Sequence, residues 1–69
     1  MVEVFKTNVH DEGDSQNLVR HLQRHFPDGR INFDLEDCDR ILRVEGGTVS
    51  RIKIMDTLSN LGFLCEPLD

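Results

Sequence analysis

The residues able to do chemistry crowd into one short stretch, Val9-His10-Asp11-Glu12-Gly13-Asp14. His10, Asp11, Glu12 and Asp14 offer one imidazole and three carboxylates. Such a set suits a hard or borderline divalent ion, bound weakly, and Asp37 and Asp39 can approach from a later turn. The spacing matches no recognised ion-binding loop. A structural reading stands beside the metal one. Asp14 or Ser15 accepts hydrogen bonds from the first free amides of a helix, and the other acids favour that helix's positive end.

Other reactive side chains are scattered. His21 and His25 are spaced i, i+4 and neighbour each other on a helix, but a Zn²⁺ or Cu²⁺ site needs a third ligand. Cys38 lies between two aspartates in an exposed turn, which makes it a poor nucleophile. Cys65 falls two residues after Phe63 and shares its face, so it reads as a small buried hydrophobe. No serine or cysteine stands beside a plausible base, and no glycine loop cradles phosphate, so the expectation is a protein that is not an enzyme.

The elements that must position these residues follow from periodicity and turn chemistry. Val2 to Val9 is rich in β-branched and aromatic residues and reads as a strand whose two faces are both partly apolar. Gly13 is free to take a positive φ in the following turn. Leu18, Val19, Leu22 and Phe26 recur at helical spacing over residues 15–26, and Pro27-Asp28-Gly29 ends that helix. Arg30 to Glu36 alternates as a half-buried strand. Asp37-Cys38-Asp39 turns the chain, and Arg40 to Glu45 returns. Ser50 or Thr48 caps a second helix, with Val49 and Ile54 placed as a hydrophobic staple. Its stripe is Ile54, Met55, Leu58 and Leu61, with Ile52 at the edge, and Gly62 ends it. Residues 63–66 give a last short strand. The order βαββαβ specifies an α+β, ferredoxin-like sandwich: one four-stranded antiparallel sheet with two helices on one face. Strands one and three lie in the middle. The first βα turn, the Asp37–Asp39 hairpin and the Gly62-Phe63 junction share one end.

Length and composition bound the rest. Sixty-nine residues make one domain, 1–69, with one thin core, and the start at Met1 suggests a whole small protein. A formal charge of −5 argues against nucleic acid. No stretch reaches the ~20 apolar residues of a membrane span, and no signal peptide is visible, so the expected setting is cytoplasmic with reduced cysteines.

On Ile31-Asn32-Phe33-Asp34-Leu35-Glu36, Arg40-Ile41-Leu42-Arg43-Val44-Glu45 and Leu58 to Leu61 with Gly62-Phe63, the chain resembles the heavy-metal-associated domain family of copper chaperones and copper-pump modules. The resemblance covers nearly the whole chain, and it implies that the Phe63 ring shields the metal loop. The family's motif is Met-x-Cys-x-x-Cys, whose soft thiolates hold Cu(I). Matching Leu18 and Leu22 to the family's first helix puts Val9 at the methionine, Asp11 at the first cysteine and Asp14 at the second. Carboxylates are hard ligands and do not retain Cu(I). The resemblance therefore implies a degenerate member with no cofactor. It would be a binding module that uses its helices and acidic end, with Asp37, Cys38 and Phe63 at the interaction end, to hold a protein partner. A basic partner fits that surface, and exposed edges on strands two and four allow self-association. The alternative is binding or transport of a divalent ion through His10, Asp11, Glu12 and Asp14.

Overall fold

The computed structural model describes residues 1–68. Its elements run β1 (Val2–Thr7), α1 (Glu12–His25), β2 (Arg30–Asp34), β3 (Ile41–Glu45), α2 (Arg51–Asn60) and β4 (Cys65–Pro67). The four strands form one antiparallel sheet in the order β2-β3-β1-β4, as the βαββαβ pattern requires. Register follows from alternation. Phe5 faces Leu42, Leu42 faces Phe33, and Val44 faces Ile31, so each strand turns its apolar residues to the same side.

That side carries the core. Phe5, Leu42 and Val44 from the sheet are fully buried with Leu18 and Leu22 of α1 and Ile54 and Leu58 of α2. The helix residues recur at i and i+4, so each helix lays one stripe on the sheet, α1 over β2 and α2 over β4. The opposite face of the sheet is open. It presents Val2 and Val4 beside Arg30, Asn32, Asp34, Arg43 and Glu45, and Val2 is 51% exposed.

Turn chemistry closes the far end. Gln23 Nε2 sits 3.1, 3.2 and 2.9 Å from the carbonyls of Phe26, Pro27 and Gly29, tying the end of α1 to the start of β2. A Cβ on Gly29 would meet Phe26 and the Glu45 carbonyl at 3.2–3.4 Å. A side chain there would have to push the Phe26 and Glu45 backbone away by a few tenths of an ångström, so glycine suits this close approach.

Several expected boundaries move. α1 begins at Glu12, three residues before the expected start, and its N-cap is Asp11, not Asp14 or Ser15. Gly13 lies inside the first helical turn and does not take a positive φ; among the described glycines only Gly62 does, at 90°. β1 stops at Thr7, although Val9 is still fully buried. β2 stops at Asp34, and β4 starts at Cys65, not Phe63. Ser50 does cap α2, accepting from the Lys53 amide at 3.2 Å. Leu61 does not join its buried stripe but is 39% exposed, because the helix has ended at Asn60; Ile52 is 72% exposed on the outer side.

Candidate interaction surface

Three loops meet where β1 ends, and the bonds that gather them start from Thr7 and Asn8. The Thr7 amide donates to the Asp39 carbonyl at 3.0 Å. Its hydroxyl donates to the Arg40 carbonyl at 2.5 Å and accepts from the Val9 amide at 3.3 Å. On the other side, the Leu64 amide donates to Asn8 Oδ1 at 2.8 Å. The hairpin loop and the α2–β4 junction are thus both tied to one strand end, as the sequence led us to expect.

The hairpin loop is built on its own polar groups. Asp37 Oδ1 accepts from the Asp39 amide at 2.9 Å, and the Asp37 carbonyl accepts from the Arg40 amide at 3.0 Å. Arg40 takes a left-handed φ of 47°, which only a few per cent of non-glycine residues adopt. Its guanidinium turns back to donate from Nη1 to the Leu35 carbonyl, which closes the loop from within. Its Nε is buried with no partner. Lys6 Nζ lies 3.9 Å from Asp39 Oδ1, with both side chains largely in solvent, so this ion pair adds little.

The acidic loop is likewise engaged in structure. Asp11 Oδ1 accepts from the Gly13 amide at 2.7 Å, and its carbonyl accepts from the Ser15 amide at 3.0 Å. One of the expected ligand oxygens is therefore holding the helix start. His10 and Glu12 line an open groove of about 500 Å³ with Phe33, Asp34, Leu35 and Glu36. Its lining mixes two apolar side chains, Phe33 and Leu35, with the carboxylates of Glu12, Asp34 and Glu36. Phe63 packs half-buried against the core, and the neighbouring Leu64 is 57% exposed.

Among the described residues, the only group of three metal-capable side chains that converge is Asp37, Cys38 and Asp39, whose ligand atoms lie within 4.8 Å of one another. His10, Asp11, Glu12 and Asp14 do not gather in that way, and neither do His21 and His25 with a third ligand. The loop at Asp11 and Asp14 has no soft donor, so it does not fit Cu(I). Cys38 is exposed and Cys65 half-buried, both as free thiols on opposite sides of β1. Burial pushes the Cys65 thiol from 9.0 up to about 12, so it is a neutral, inert group.

Thr7, Asn8 and Arg40 organise this surface, and sequence reasoning passed over all three. A hydroxyl and an amide at the end of an apolar strand were the available signal. Comparison of the chain with protein-family models, with curated proteins and with solved structures finds no match.

Proposed function

We propose that the protein is a small non-enzymatic interaction module, without a cofactor, that holds a protein partner at its three-loop end. One observation carries this reading: exposed Leu64 and half-buried Phe63 lie at the same end as the acidic groove and the Asp37–Asp39 loop. Leu64 supplies an exposed apolar contact on the β4 side of that end, and the acidic loops supply charged contacts on the β2 side, so both kinds of contact that interfaces combine are present. Six acidic side chains at that end, Asp11, Glu12, Asp14, Glu36, Asp37 and Asp39, favour a partner with a basic surface and speed its encounter. The net charge disfavours nucleic acid. Among the described residues, no helix is long and apolar enough to cross a membrane. Two unbridged thiols fit a reducing, cytoplasmic setting. Strand edges add a route to self-association.

A divalent ion is the second reading, and the convergence of Asp37, Cys38 and Asp39 favours it. Against it, an Asp37 oxygen already accepts from the Asp39 amide. Thermal melts of reduced, tag-free protein separate the two, first with EDTA and then with Cu(I), Zn²⁺, Ni²⁺, Co²⁺, Mn²⁺ and Ca²⁺ in turn. We expect no shift. An ion at a hundredfold over its dissociation constant would add about 2.7 kcal/mol. A saturable rise abolished by His10→Ala or Asp37→Ala would replace the interaction reading with the metal one. The interaction reading itself predicts a partner held by immobilised protein at low salt, released at high salt, and lost in Leu64→Asp. Retention indifferent to both would refute it.

A further inference from the structure

The free edge of β2 has a self-complementary order of side chains, and hydrogen-bond phase decides which of its backbone groups are unused. Met1 and Gly46 exchange both of their backbone hydrogen bonds, at 2.8 and 2.9 Å. Antiparallel pairing alternates from there, so Val44 and Leu42 turn their amides to β1, while Glu45, Arg43 and Ile41 turn theirs to β2. The Leu68 amide donating to the Val4 carbonyl at 2.8 Å fits the same phase. On β2, Arg30, Asn32 and Asp34 are consequently bonded to β3. The N–H and C=O of Ile31 and Phe33 point outward, and among the described residues nothing meets them.

We propose that this edge pairs with the same edge of a second copy, antiparallel and centred on Asn32. The proposal rests on the interaction-module reading and names one partner for it. In that register Ile31 faces Phe33 of the other copy, twice by symmetry. All four outward N–H groups and carbonyls of Ile31 and Phe33 on each copy are then satisfied. On the open side of the sheet, Arg30 meets Asp34 of the other copy at the close, non-hydrogen-bonded spacing, and the two Asn32 amides meet on the axis. Arg30 and Asp34 are exposed, and neither takes part in an ion pair among the described residues. Charges of one sign would simply keep an edge single. Opposite signs at mirror positions around a central amide instead match a two-fold partner. α1 lies on the same side in both copies, so the joined sheet of eight strands keeps one helix-covered face.

Sedimentation equilibrium from about 10 µM to about 1 mM at low salt tests this, over the range where so small an interface associates. We expect a monomer–dimer equilibrium that Arg30→Asp or Asp34→Arg weakens at least about tenfold, because like charges then face each other twice. The double variant Arg30→Asp/Asp34→Arg should return to within about threefold of the original. Hydrogen exchange supplies a readout that needs no variant. The Ile31 and Phe33 amides should exchange fast in dilute protein and slow as concentration rises, while Asn32 stays protected throughout. A monomer at every concentration, a dimer indifferent to both reversals, or Ile31 and Phe33 amides that never slow would each overturn the proposal. A monomer would leave that edge to a strand from another protein. These outcomes are separable from the three-loop reading, since Leu64→Asp touches that surface and leaves β2 unaltered.

Discussion

Thr7 holds more of the candidate surface together than any charged residue does. It is only 6% exposed, and its hydroxyl serves the Arg40 carbonyl and the Val9 amide at once. Thr7→Val keeps the shape and deletes that service, leaving two backbone groups without it. We expect a loss of about 1–3 kcal/mol in urea unfolding, with Thr7→Ser much closer to the original. Residue types announced the chemistry here, but not its use. The carboxylates of the acidic stretch were legible as ligands or caps. Which one caps was not, because Asp11 and Asp14 both precede helix-forming residues and differ only in whether Gly13 is read as turn or helix. Arg40 was illegible for a different reason: a left-handed arginine closing its own loop has no sequence signature. Leu64 was likewise missed, because an exposed leucine beside a turn reads as strand.

Elements were the most readable scale, since each had periodicity and punctuation in agreement. Phe33, Leu42 and Val44 alternate cleanly, and Leu18 and Leu22 keep helical spacing, so the strand order and the helix-bearing face followed. Ends were less readable. β4 moved because Leu64 bonds a side chain, Asn8 Oδ1, where a ladder partner was expected. The start of α1 gives a direct test. Asp11→Ala should cost about 1 kcal/mol, whereas Asp14→Ala, which removes only an acid in the first turn, should cost a few tenths. Equal effects from the two, measured by denaturant unfolding, would contradict Asp11 as the cap. Gly62 marks the other helix exit: at φ 90° an alanine there is strained, although nothing stands within 4 Å of the added Cβ.

At the scale of the whole molecule, a core of ten buried apolar residues leaves little stability in reserve. In a domain of this size, each kcal/mol moves the melting temperature by about 4–8 °C. Alkaline pH should expose one contribution. The Cys65 thiol is raised from 9.0 to about 12 in the folded state. Between those values the unfolded chain has lost a proton that the folded one still binds. Stability is therefore intact below pH 9 and falls as pH rises toward 12. Cys65→Ala should show a shallower decline over the same window. A decline of equal slope in both proteins would show that the thiol is not responsible.

The strand order β2-β3-β1-β4 also governs how this chain reaches its native state. Only β2 and β3 are neighbours both along the chain and in the sheet, so theirs is the one pairing that forms at low loop-closure cost. The strand at the sheet's centre emerges first in synthesis yet must wait for distant partners. β4, three residues long, is its partner most distant along the chain. We therefore expect long-range closure around β1 to limit folding speed, with the β2–β3 hairpin forming ahead of it.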